Sequence, residues 1–174
     1  MTAPMLETAR LVLRKPDERD LPFWMPFVMS DRAAFVRSQE PTEANGWRAL
    51  AGIIGHWTLR GYGTLAFALK SKPDVTLGMT GPWNPHGWPE AELGWTLWSA
   101  DNEGKGYVRE AAEAARAWAY RDLGWQTAVS YIDPRNTRSI RLAERLGAVP
   151  DWDAATPHGE QCVVFRHPSK EALQ

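Results

Sequence analysis

Apolar and polar positions change their period several times along the chain. Leu11 and Leu13 alternate with Val12 and Arg14, so the segment from Leu6 to Arg14 begins with a strand. The apolar run from Asp17 to Met29 predicts a short helix capped by Asp17 and made irregular by Pro22 and Pro26. From Thr42 to Leu59 the period is helical. Thr42 supplies the cap, Trp47, Leu50, Ile54 and Trp57 share one face, and Gly61 and Gly63 end the helix. Strands are predicted at Leu65 to Leu69, Val75 to Met79 and about Glu92 to Trp98, with Lys72-Pro73-Asp74 turning the chain between the first two. The clearest helix runs from about Gly106 to Asp122. Val108, Ala111, Ala112, Ala115, Trp118 and Ala119 form its apolar stripe, and the alanines let it lie close to a sheet. A strand at Gln126 to Ile132, a helix from Asn136 to Leu146 closed by Gly147, and a strand at Val163 to Phe165 complete the pattern. The order is mixed α/β, with antiparallel pairing first and parallel pairing after residue 92.

A chain of 174 residues fits one domain spanning 1–174. Twenty basic residues face twenty-one acidic ones, which gives no general electrostatic case for nucleic acid or an anionic membrane. Cys162 is the sole cysteine, so an intrachain disulfide and a cysteine-based zinc site are excluded. His56, His86, His158 and His167 lack paired ligand spacing, and no metal is expected. Met1 to Thr8 lacks a basic start followed by an apolar run, and no apolar stretch approaches the ~20 residues of a membrane span. A cytoplasmic protein is the expectation. Of the ten tryptophans, Trp83 and Trp88 stand in a Pro- and Gly-rich loop, where two readings stay open: lids on the core, or a binding surface.

Candidate chemistry starts at Glu103-Gly104-Lys105-Gly106-Tyr107-Val108-Arg109, between a strand and a helix. A helix N-terminus presents unpaired N–H groups and partial positive charge, glycines let an anion approach, and Lys105 and Arg109 add charge. That is a recipe for a phosphate or pyrophosphate cradle. It is neither a nucleoside-triphosphate loop, since Gly106 follows Lys105 and Ser99 stands at the first glycine, nor a dinucleotide fingerprint, since Arg109 replaces the third glycine. The second cluster is Asn136-Thr137-Arg138-Ser139, where Asn136 stands at a strand-to-helix junction and Ser139 on roughly the same side. Capping alone is one reading of Asn136.

Together these motifs resemble the GNAT acetyltransferase superfamily, and more narrowly the branch that acetylates N-termini of ribosomal proteins. The resemblance starts at Leu6-Glu7-Thr8-Ala9-Arg10-Leu11-Val12-Leu13-Arg14. It continues through Gly78-Met79-Thr80-Gly81, Glu92-Leu93-Gly94-Trp95-Thr96-Leu97, the glycine loop and Asn136-x-x-Ser139, and runs to Gly147. Glu103 and Val108 depart from the usual Gln/Arg-x-x-Gly-x-Gly/Ala loop, and a carboxylate at Glu103 weakens phosphate binding unless it points away.

The resemblance implies a central mixed sheet of about six to seven strands flanked by about four helices, with a splay between two parallel strands. It implies acetyl-CoA as co-substrate and an amine, either a small molecule or a peptide, as acceptor. The pantetheine arm is expected on backbone groups of Leu97 and Trp98, the pyrophosphate on Gly104, Lys105, Gly106, Tyr107, Val108 and Arg109, and Asn136 on the pantetheine or a water. Glu92 is the expected base, with His86 and His158 as rivals. Ser139 is expected to serve the leaving thiolate, with Tyr131 as the alternative. A non-catalytic acyl-CoA sensor of the same fold is the competing reading, and a monomer or homodimer is expected.

Overall fold

The computed structural model describes residues 6–37, 39–159 and 161–173. The expectation drawn from Met1 to Thr8 therefore lies largely outside the described residues. Eight strands form one sheet: Leu6–Glu7 (β1), Leu11–Arg14 (β2), Leu65–Leu69 (β3), Lys72–Trp83 (β4), Glu92–Leu97 (β5), Val129–Ile132 (β6), Val149–Pro150 (β7) and Val163–Arg166 (β8). Their spatial order is β1-β2-β3-β4-β5-β6-β8-β7. Every pairing is antiparallel except β5 with β6. The helices are Leu21–Val28 (α1), Glu43–Arg60 (α2), Tyr107–Asp122 (α3) and Thr137–Arg145 (α4). Among the described residues, no helix is long and apolar enough to cross a membrane.

The sheet has a helix layer on each face because its strands bury both sides. Toward α3 point Leu65, Phe67, Leu77 and Leu93, which meet Ala111, Ala115 and Trp118. Toward α1 and α2 point Ala66, Met79 and Trp98, which meet Trp24, Phe27 and Leu50. This alternation is the two-residue period of a strand made physical.

The mixed sheet flanked by four helices is as expected; among the described residues it has eight strands, the two-residue β1 and β7 being too short to show a period. Two expectations need correction. Lys72-Pro73-Asp74 is not the hairpin turn. Leu69 faces Lys72 and Ala68 faces Thr76, so Pro73, Asp74 and Val75 bulge out of the ladder instead. Trp47 is off the buried face of α2 and 59% exposed. Gly46 takes its place, since Trp24 Nε1 donates to Gly46 O over 2.8 Å and a Cβ at Gly46 would stand 2.8 Å from Val28 Cγ1.

Candidate active site

β5 and β6 share a single Cα register, Glu92 with Val129, sealed by Val129 N–H donating to Ala91 O over 3.0 Å. Beyond it the ladder stops. Ser130 Oγ donates to Leu93 O over 2.7 Å, so a side chain takes the place of the second rung. The strands part from there toward the C-terminal end of β5. Hydrogen-bond direction alternates along a strand. Trp98 N–H donates to Leu77 O at 2.9 Å, so Trp98, Thr96 and Gly94 turn toward β4 while Leu97 and Trp95 turn into the gap. The expectation for Trp98 is therefore corrected: its N–H is spent inside the sheet and its indole packs in the core against Trp24 and Phe27. Leu97 does face the gap. Its carbonyl accepts from Arg32 Nη2 at 3.1 Å, and its N–H points into the gap as well.

At the mouth of the gap, Gly104 and Gly106 adopt φ of 73° and 76°, the left-handed region that favours glycine. α3 starts directly afterwards. Its first intrahelical bond runs from Glu110 N–H to Gly106 O, so the N–H groups of Tyr107, Val108 and Arg109 have no partner within the helix. Arg10 braces this loop from β2's edge. Its guanidinium lies 4.7 Å from the Tyr107 ring centroid, donates to Lys105 O at 2.9 Å and pairs with Glu110 at 2.7 Å. Lys105 and Arg109 are exposed, the latter paired with Glu113 one turn on. The open αL loop, the unpaired N–H groups and the nearby cations fit a pyrophosphate.

Glu103 does not project freely into this cradle. Its Oε1 accepts from Arg32 Nη1 at 2.7 Å and from Arg138 Nη1 at 2.5 Å. The hydrogen bond from Arg32, then that from Arg138, holds its carboxyl below the ordinary glutamate range. The carboxylate thus occupies two cations that stand beside the phosphate loop.

α4 borders the other side of the gap. Asn136 Oδ1 accepts from Ser139 N–H at 3.2 Å, so the side chain caps the helix, and the cap leaves its NH2 group for a ligand. Ser139 Oγ accepts from Trp95 Nε1 at 3.2 Å, which ties α4 to β5 across the splay. Tyr131 Oη is buried beside Glu90, with no side-chain hydrogen bond to it among the described residues. Burial, helped by the Glu90 charge, pushes its pKa up to about 12, so it remains a donor at neutral pH.

Gap and α2 face join in one cavity of about 1000 Å³, into which Glu92, Asn136 and Ser139 all open. Glu92 and Gly94 point to the same side of β5, the side of α1 and α2, and a Cβ at Gly94 would lie 3.8 Å from Glu92 Oε1. Trp88 Nε1 donates to Glu92 Oε2 at 2.7 Å. Both tryptophans are therefore cavity walls, Trp83 from the last position of β4, not from a loop as the sequence suggested, and Trp88 from the loop after it. Trp83 stacks on His56 at 4.4 Å, and Trp88 orients the carboxylate. His86 is exposed on the cavity edge, and exposed His158 packs edge-on against Trp88 at 5.6 Å. Neither shares Glu92's hydrogen-bonded placement beside the splay. Arg10 and Trp95 lie inside motifs the sequence displays, but their roles, like those of Arg32 and Ser130, come from partners far away in the chain: Glu110, Ser139, Glu103 and Leu93.

A sheet opened after one parallel rung, a helix N-terminus at its mouth and an acid on its far face define an acyltransferase architecture. The comparisons agree. Residues 10–149 match the family model "Acetyltransferase (GNAT) domain", and the chain belongs to that family. Its structure superposes on that of an acetyltransferase from Agrobacterium tumefaciens str. C58 with a TM-score of 0.86 and 34% identity, over 97% of this chain and 96% of that one. A Bordetella pertussis protein described as a GnaT-family acetyltransferase gives 0.76 and 26%, over 95% and 99%. The ribosomal-protein-S5-alanine acetyltransferase of Vibrio fischeri shares the fold, at 0.71 and 15% identity over 97% and 98%.

Proposed function

We propose that the chain transfers an acetyl group from acetyl-CoA to a primary amine, a protein N-terminus or a small molecule, by direct attack in a ternary complex. The single-rung splay carries this reading, because it opens β5 from β6 next to a cavity that Glu92, Asn136 and Ser139 line, with the glycine loop following β5 in the chain. Acetyl-CoA supplies the acetyl group as an activated thioester. On the donor side, the N–H groups of Tyr107 to Arg109 hold the pyrophosphate, and Asn136 and the edge of β5 at Leu97 hold the arm.

An alkyl amine is mostly ammonium at neutral pH, with a reference pKa of about 8 at a chain terminus and about 10 on lysine. Glu92, oriented by Trp88, takes its proton directly or through water. The Leu97 N–H donates to the carbonyl oxygen as that oxygen gains charge. Ser139, held by Trp95, donates to the departing sulfur, with Tyr131 as the second donor within the same cavity. The reaction is placed in the cytoplasm, with a monomer or homodimer as the working unit and no nucleic acid or membrane involved.

Mixing the protein with acetyl-CoA and a panel of amines, while following free CoA and the mass of each amine, tests the reading. It predicts CoA release that depends on an amine, together with the acetylated amine. Donor binding without transfer to any amine would leave a sensing module.

A further inference from the structure

α2 turns a helical face toward the cavity through Ala49, Gly52, Ile53 and His56, spaced i, i+3, i+4, i+7. Glycine inside a helix is unfavourable relative to alanine and calls for a local reason. At Gly46 the reason is the neighbouring protein, since a Cβ would meet Val28 Cγ1 at 2.8 Å. At Gly52, which is exposed, no described atom beyond the helix's own backbone and the adjoining residues lies within 4 Å of where a Cβ would stand, and this bare stretch of α2 lines the open cavity. Gly55 also faces open space but does not line the cavity, which makes it a control within the same helix.

The rest of the wall says what the space suits. Trp24, Met79, Trp83 and Trp95 line it, and Trp83 is fixed flat against His56. Among its described lining residues, Glu92 and Asp133 are acidic and Arg37 and Arg60 basic. Asp133 is already paired with Arg135 at 2.7 Å. A polycation would thus find one carboxylate and two guanidinium groups, whereas a single ammonium on an apolar body finds Glu92 and flat aromatic surface.

We propose that the acceptor is a monoamine bearing one bulky apolar group, and that Gly52 sets its size by leaving the α2 wall bare. This rests on the reading of the site as an amine acetyltransferase. The test compares 2-phenylethylamine, propylamine and spermidine as acceptors for wild type, Gly52→Leu and Gly55→Leu, with acetyl-CoA saturating. Both variants should raise Tm by roughly 2–4 °C, as leucine replaces a helix glycine. Gly52→Leu should lower kcat/KM for 2-phenylethylamine at least about ten-fold, mainly through KM, and leave propylamine within about two-fold. Gly55→Leu should leave the ratio of the two amines unchanged. A ratio that Gly52→Leu does not move, or a wild-type preference for spermidine, would overturn the inference.

Calorimetric binding of 2-phenylethylamine to the acetyl-CoA-free protein separates the two layers. Saturable binding weakened at least about ten-fold by Gly52→Leu sustains the inference even where no acetyl group moves. Transfer to propylamine with 2-phenylethylamine neither bound nor acetylated sinks the inference and leaves the acetyltransferase reading standing.

Discussion

Ser130 Oγ and Leu93 O lie 2.7 Å apart, and that one contact stands where β5 and β6 cease to pair. It is anchored behind by His167. Arg116 Nη1 has only protons to give, so His167 Nδ1 accepts from it at 3.1 Å. Nε2–H then donates to Ser130 Oγ at 2.9 Å, and Ser130 donates onward to Leu93 O. Four buried groups therefore hold the strands at the point of divergence. Ser130→Ala removes the link and leaves the His167 Nε2–H and Leu93 O unpaired in the core. A loss of about 1–3 kcal/mol is expected, read as a lower urea midpoint at unchanged m. Acetyl-CoA affinity should fall with it.

The same histidine sets a pH dependence of stability. Burial, then the Arg116 charge, lowers the His167 pKa from 6.5 to about 3. The unfolded chain binds this proton more readily than the folded one between those values, so stability is full above about pH 6.5 and falls as pH drops toward 3. Burial lowers His56 too, with the same sign. Urea unfolding at pH 7 and pH 5 should show a loss on the order of 1–2 kcal/mol. Equal stability at both values would contradict the neutral, buried His167.

Glu103 pairs with Arg32 and Arg138 beside the glycine loop. Glu103→Gln removes a negative charge beside the phosphate loop and frees both guanidinium groups. Acetyl-CoA should bind about two- to five-fold tighter at low salt, with the gain shrinking as salt rises. Weaker binding would show that Glu103 shapes the loop more than it blocks it.

Glu92→Gln should cut kcat by about 10²–10⁴ while leaving donor affinity intact, and the deficit should narrow at high pH, where the amine arrives already neutral. Trp88→Phe removes the hydrogen bond that orients Glu92 while keeping an aromatic ring in the cavity wall, and should cost less. Activity of Glu92→Gln equal to wild type would move the base elsewhere.

A Cβ at Gly78 would stand 2.1 Å from Thr96 O and 2.9 Å from the Phe67 ring, in the strand pair that carries β5. Because the first of those atoms is backbone, Gly78→Ala cannot be absorbed by a side-chain shift. It should destabilise by at least about 1–3 kcal/mol in thermal unfolding, more than alanine at Gly104, where a Cβ meets nothing within 4 Å.

What the sequence disclosed depends on how local each determinant is. The glycine loop and the Asn136 cap are fixed by residue types a few positions apart, and both are found where their spacing put them. The α3 stripe was legible because one helix needs only one periodic face. Lys72-Pro73-Asp74 carries turn chemistry, yet the pairing of β3 with β4 takes the hairpin to Lys70-Ser71 and leaves the proline in a bulge. Trp47 carries an apolar signal, but tight contact of α1 at Gly46 decides which way α2 faces. Arg32, 71 residues before Glu103, and Arg10, 100 before Glu110, meet their partners only through the folded sheet. No period or spacing announces such pairs.

The most direct measurement is a calorimetric titration of the protein with acetyl-CoA beside Gly106→Trp and Asn136→Ala, each shown by circular dichroism to be folded. The account predicts saturable binding by the wild type, lost in Gly106→Trp, where φ of 76° and the anion site both exclude a large side chain, and weakened in Asn136→Ala. No binding by the wild type at millimolar acetyl-CoA, or full binding by Gly106→Trp, would contradict it.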